Sequence, residues 1–172
     1  TNTVKEIKEI KEYAKHTYNV NCLLDRFGAN TKLKKSSKGV YNVAGLSLMP
    51  SIKFCPMSIK AGCFELCLKS AGRGRFNNVV NARNNKSNLY NNDYDLFMKL
   101  LVHELNLHVI NCKKNNVNPS ARLNVLSDIP YENTCIFDLF KNIYFYDYTK
   151  RANRLEACNK IENYKLMFSY SG

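Results

Sequence analysis

Arg122-Leu123-Asn124-Val125-Leu126, Ile143-Tyr144-Phe145-Tyr146 and Lys165-Leu166-Met167-Phe168 decide the fold. Each is a short run of aliphatic and aromatic residues, bounded by polar ones, as a buried strand requires. Two helix-length segments separate them. One starts after Pro130 and includes Ile136, Leu139 and Phe140; the other runs from about Arg151 to Asn163. Strand, helix, strand at a spacing of about twenty residues predicts parallel strands joined by right-handed crossovers. The expected class is α/β, with a βαβ C-terminal part forming a partial barrel or an open sheet. Polar residues close each run: Ser127-Asp128, Asp147-Tyr148-Thr149-Lys150 and Ser169-Tyr170-Ser171. In a parallel sheet these ends share one edge, where ligand sites gather. Asp128, Asp147 and Lys150 are therefore expected around any centre held there. The acids would orient an amine or a ribose, and the lysine a carboxylate or phosphate. Each Asp also precedes a helix start, so helix capping is the competing expectation.

Upstream, Asp93 is the expected N-cap of a strong helix from about Tyr94 to Lys113. Phe97, Leu101 and Leu105 line one side of it, and Leu96, Leu100, Leu107 and Ile110 much of the other, which predicts burial nearly all round. A helix from about Phe76 to Tyr90 precedes it. There Arg83 shares a face with Phe76 and Val80, and either turns inward to a site or snorkels to water. Val4, Ile7, Ile10 and Tyr13 give residues 4–15 an amphipathic helical pattern. Ser36-Ser37-Lys38-Gly39 reads as a hairpin turn between Thr31–Lys35 and Val40–Val43. The segments make one domain over residues 1–172: an N-terminal helix and linker to 29, a hairpin over 30–54, a cysteine loop over 55–75, and helices with βαβ units over 76–172.

Length and composition agree with one globular domain. The chain has 172 residues, of which 45% are hydrophobic and 23% charged, a balance that excludes global disorder. No apolar run approaches the roughly 20 residues of a membrane helix, and no secretory leader is read at the start. The expectation is a protein that is not secreted and has no membrane partner. Lys and Arg number 26 against 14 Asp and Glu, a formal charge of +12. A Lys-rich surface fits a nucleic-acid partner. The lysines are scattered, however, in a chain rich in Asn, Ile and Tyr, the composition an AT-rich genome favours by codon usage alone.

The cysteines carry more information. There are seven, an odd number, which argues against a complete disulfide framework. Cys22, Cys112, Cys135 and Cys158 sit among apolar neighbours and are expected in the core. Cys55, Cys63 and Cys67 fall within thirteen residues. Cys63 and Cys67 are one helical turn apart, so both sulfurs can face one side. Pro56 stiffens the chain after the first thiol, and Gly62 allows a tight path before the second. Three converging thiolates repel unless a metal neutralises them, and Lys53, Lys60 and Lys69 are at hand to offset the charge. Structural zinc prefers a closed set of four ligands, usually with a closely spaced Cys pair, which is absent here. A [4Fe-4S] cluster tolerates three cysteines and a water or small molecule on the fourth iron. Three thiols without metal, or one disulfide and a free thiol, remain the alternatives. His108 and Cys112, four apart on the long helix, are expected in the core rather than on a metal.

Several spaced motifs together resemble one known family. They are Asn30-Thr31-Lys32, Gly45-Leu46-Ser47-Leu48-Met49-Pro50, Cys55-Pro56-Met57-Ser58, Gly62-Cys63, Cys67-Leu68, Ala71-Gly72-Arg73 and Ala82-Arg83. Downstream they continue as Arg122-Leu123-Asn124-Val125, Ser127-Asp128-Ile129, Tyr146-Asp147-Tyr148-Thr149-Lys150 and Phe168-Ser169. The pattern resembles the phage family catalogued as gene product 88, which also has members in giant DNA viruses. The resemblance implies a viral protein, working in a virion or a host cytoplasm, with an iron–sulfur centre on Cys55, Cys63 and Cys67. Redox or electron transfer is the function expected first. The outline of three cysteines above parallel strand ends is also similar to radical S-adenosylmethionine enzymes, although their cysteine loop is tighter. A basic nucleic-acid-binding protein with a structural cluster is the third reading.

Overall fold

The computed structural model describes residues 4–25, 40–64 and 72–170. In chain order the elements are α1 (Val4–Tyr18), β1 (Leu24–Asp25), β2 (Tyr41–Leu46), α2 (Asn77–Asn92), α3 (Tyr94–Lys114), β3 (Asn118–Arg122), α4 (Ile136–Leu139), β4 (Tyr144–Thr149), α5 (Asn153–Cys158) and β5 (Tyr164–Phe168). Short 3-10 turns cover Gly72–Arg75 and Tyr131–Asn133. The strands form one sheet in the order β1-β2-β3-β4-β5. β2 to β5 are mutually parallel, and β1 runs antiparallel on the edge. The expected α/β class and parallel C-terminal strands are therefore present, and the parallel set gains β2. No described helix is long and apolar enough to cross a membrane.

The order explains the layering. Each parallel strand adds on the same side of the last, so crossovers of one hand must place their helices on one face. The core agrees. Ala44, Leu46, Ala121, Leu123, Phe145, Tyr164 and Leu166 turn to that face and pack with Leu96, Phe97, Leu100, Leu101 and Leu105 of α3. Phe137 stacks on Tyr164 at 4.2 Å and meets Phe145 edge-on at 4.9 Å, which brings α4 to the same side. The opposite face holds only a small cluster of Val43, Val125 and Leu126 with Tyr146 against it.

Local chemistry sets the boundaries. The Asp93 carboxylate accepts the Leu96 N–H at 3.1 Å and caps α3, as expected. Asn116, at φ 52°, ends the helix: Val117 N–H returns to Cys112 at 3.1 Å and Asn116 N–H to Lys113 at 3.3 Å. Asn tolerates this left-handed geometry better than most residues.

Four expectations need correction. The first apolar run, Arg122–Leu126, is not a strand; β3 is Asn118–Arg122, and Leu123–Leu126 leave the sheet to be buried in loop form. Leu107 and Ile110 are about half exposed, so α3 buries one broad side rather than two. Val4 and Tyr13 are exposed, and α1 packs through Ile10, Ala14 and Tyr18 instead. Cys135 is exposed, whereas Cys112 and Cys158 are core residues. The hairpin arm Thr31–Lys35 and its turn lie outside the described residues; the described antiparallel partner of β2 is β1.

Candidate functional site

The loop from Ser51 to Phe64 is wound by successive backbone turns. Phe54 and Cys55 donate to the Ser51 carbonyl, Ser58 to Cys55, Ala61 to Met57 and Gly62 to Ile59, all at 2.8–3.1 Å. Gly62 takes φ +64°, the conformation that makes glycine the natural residue there. The chain then folds back, so that Cys63 and Phe64 N–H groups both reach the Ser58 carbonyl, at 3.0 and 3.2 Å. Ser58 is buried, and its hydroxyl donates to the Cys55 carbonyl at 2.6 Å. This one serine ties the segment that bears Cys55 to the segment that bears Cys63.

The wound loop faces the carboxyl ends of the parallel strands. Asp128 N–H donates to the Phe54 carbonyl at 2.7 Å, and the Cys55 thiol donates to the Leu126 carbonyl at 3.5 Å. Together with the strand ends these segments enclose a cavity of about 290 Å³. Cys55 and Cys63 both line it, with Ser58, Met57 and Phe64 from the loop. Arg122 and Asn124 come from the end of β3, Ser127 and Asp128 from the turn beyond it, Tyr148, Thr149 and Lys150 from β4, and Ser169 from β5. The size lies near the lower end of small-ligand pockets, about 300 Å³. The strand ends thus line a cavity.

The predicted polar residues separate on inspection. Asp128 borders the cavity and does not cap a helix. It pairs with the buried Arg154 and accepts Thr149 Oγ1 at 2.9 Å and the Lys150 N–H at 3.2 Å. Asp147 does not reach the cavity and caps nothing either. It lies within β4 on the helix-covered face, 1% exposed. There it accepts Asn124 N–H at 2.9 Å and Asn124 Nδ2 at 3.2 Å, with Arg122 Nε 3.8 Å away. Burial pushes its carboxyl up to about 7, against the opposing pull of Asn124 and Arg122. Lys150 does line the cavity; its ammonium donates to the Ser169 carbonyl at 3.1 Å. Arg83 on α2 is half-buried and is not among the lining side chains. Lys53 and Lys60 are exposed, with Lys53 bound to Asn91 at 2.6 Å; Arg122 and Lys150 are the cations on the cavity wall.

Cys67 and Lys69 lie outside the described residues. Among the described residues no three His, Cys, Asp or Glu side chains converge as metal ligands. Cys63 donates its thiol to the Ser58 carbonyl at 3.6 Å. Two thiols and two cations lining one cavity are a donor set of the chemistry that suits a soft, anionic metal centre. His108 and Cys112 stand elsewhere. His108 Nε2 meets the Ser120 carbonyl at 3.0 Å and Cys112 at 3.6 Å, and burial lowers the His108 pKa.

Two residues without an assigned role prove central. Asn124 uses its backbone N–H and both side-chain polar atoms. Beyond Asp147, its Oδ1 accepts Ser127 Oγ and Ile129 N–H at 2.8 Å, and its Nδ2 donates to the Ile129 carbonyl at 3.0 Å. It thereby shapes the turn that carries Ser127 and Asp128. Arg154 is 3% exposed and joins Asp128 to Glu132, which it meets at 2.6–2.7 Å. A basic residue on a short helix reads as surface, and its partner Asp128 lies 26 residues away in sequence.

A family model described as gene product 88 matches residues 22–172. No curated protein and no solved structure matches the chain. The matched span contains the whole sheet, the cysteine loop and every cavity residue named above, and leaves out α1. The chain belongs to the gene product 88 family.

Proposed function

We propose that the protein is an iron–sulfur redox protein, in which Cys55, Cys63 and Cys67 hold a [4Fe-4S] cluster at the cavity. One observation carries this reading: Cys55 and Cys63, eight residues apart in sequence, line one cavity together with Arg122 and Lys150. The cluster would supply one-electron chemistry and, at an iron without a cysteine, a place for water or a small molecule. The chain's own residues do the rest. Ser58 fixes the distance between the two thiol-bearing turns. Arg122 and Lys150 offset the charge of deprotonated thiols. Tyr148, Val125 and Leu126 narrow the access of water. On the same reading the protein works in a virion or a host cytoplasm.

Purification without oxygen tests this directly. The expected product is brown, with about four irons and four sulfides per chain, and loses iron on Cys63→Ala with the circular dichroism unchanged. A colourless or zinc-loaded protein overturns it. A spectral change of the reduced protein on adding S-adenosylmethionine would turn the reading toward a cluster enzyme, since the cavity has the polar groups to seat a cofactor.

A further inference from the structure

One face of the sheet is bare of helices among the described residues, which is unusual for parallel strands. Register assigns its side chains. Tyr41 stands on β2, Asn118, Ser120 and Arg122 on β3, Tyr144, Tyr146 and Tyr148 on β4, and Lys165 and Met167 on β5. Tyr41, Tyr144 and Tyr148 are 41%, 46% and 43% exposed. A ring normally repays burial, so three open ones on one sheet surface need a reason.

The rings are arranged. Tyr41 and Tyr144 approach to 6.5 Å between centroids, across β3. Tyr144, Tyr146 and Tyr148 alternate along β4, roughly 7 Å apart from one to the next. The Arg122 guanidinium lies 4.9 Å from the Tyr148 centroid. Charge on the face is mainly of one sign: Arg122 and exposed Lys165 are present, and the acid that register places there, Asp25 at the β1 edge, is paired with Lys86 at 3.6 Å. The whole chain is +12.

Those facts choose the occupant. A second copy would bring the same excess of cations, its one strand acid, Asp25, being already paired with Lys86. A duplex hides its base faces, whereas a single strand offers them, and stacking on aromatic rings is the general means of holding one. We propose that this open sheet face binds single-stranded nucleic acid, with bases stacked on Tyr144 and Tyr41 and phosphates near Lys165. Arg122 and Tyr148, at one end of the face, also line the cavity, whereas Tyr41, Tyr144 and Lys165 do not, so the surface adjoins the proposed cluster site and is tested through these three.

Fluorescence anisotropy with a labelled oligothymidylate of about twelve nucleotides tests it. The single strand should bind better than the duplex of equal length. Tyr144→Ala should weaken binding about ten-fold, and Tyr144→Phe should restore most of it. Lys165→Ala should reduce the slope of log affinity against log salt by about 0.7. Iron content of the same variants should stay at the wild-type value, which separates this proposal from the redox one. Equal binding of duplex and single strand, or Tyr144→Ala binding as the wild type does, overturns it. So does a dimer in sedimentation that Tyr144→Ala dissolves.

Discussion

Asp128 and Asp147 look alike in the sequence, each at the polar end of an apolar run, yet the protein treats them oppositely. Asp128 stands in the turn beyond β3, on the cavity wall, and meets Arg154, Thr149 and the Lys150 backbone. Asp147 is still inside β4, where alternation sends it to the helix-covered face. There it finds hydrogen bonds from Asn124, with Arg122 3.8 Å away and Arg154 acting from a distance. One acid is held by a close ion pair, the other mainly by neutral donors. A strand position differs from a loop position by direction, and direction decides which acid faces the site.

The sharpest way to break the comparison is to remove the cation of the first acid. Arg154→Met leaves the Asp128 and Glu132 carboxylates, their side chains 9% and 5% exposed, without their shared partner. Such a loss typically costs about 3–5 kcal/mol, far more than a surface ion pair. Urea unfolding of the variant should show it as a large fall in midpoint. A fall below about 1 kcal/mol would mean that Thr149 and the backbone suffice for Asp128.

The second acid should announce itself through pH. The Asp147 carboxyl takes its proton near 7 in the fold and near 3.8 in the unfolded chain. Between those values the folded protein binds more protons. Stability therefore falls as pH rises from about 4 to 7 and levels off above it, by at most about 4 kcal/mol. Asp147→Asn should abolish that part of the slope in urea midpoints compared between about pH 5 and pH 8. An unchanged slope would show that the acid stays ionised on the strength of Asn124 and Arg122.

The same alternation explains what could be read in advance. β4 was legible as the apolar run Ile143–Tyr146, although the strand continues through Asp147 to Thr149, where alternation with exposed or half-buried tyrosines carries it on. β3 was not, because Asn118-Pro119-Ser120 lacks apolar signal while Leu123 to Leu126 have it. Those four are buried by folding into the core and over the sheet, not by pairing. Pro119, which cannot donate to a ladder, also speaks against a central strand. At the cavity, Cys55 and Cys63 were singled out by cysteine spacing and Lys150 by its place at a strand end. Arg154 and Asn124 did not, because their roles come from partners more than twenty residues away in sequence.

Lys150 gives the smallest effect on stability and the finest test of the cavity. Its ammonium is half-buried and donates to Ser169, to the carbonyl at 3.1 Å and the hydroxyl at 3.5 Å. The Asp128 contact belongs to the Lys150 backbone and survives substitution. Lys150→Ala should therefore change stability by no more than about 0.5 kcal/mol in urea unfolding. A redox centre on the neighbouring thiols would respond differently. Its reduced form carries the extra negative charge, so losing a nearby cation lowers the reduction potential, as charge and hydrogen bonding around such centres do. Potentiometric titration of the two proteins then separates a lysine that tethers β5 from one that sets the charge of the site. An unchanged potential with unchanged stability would leave Arg122 as the cation that matters there.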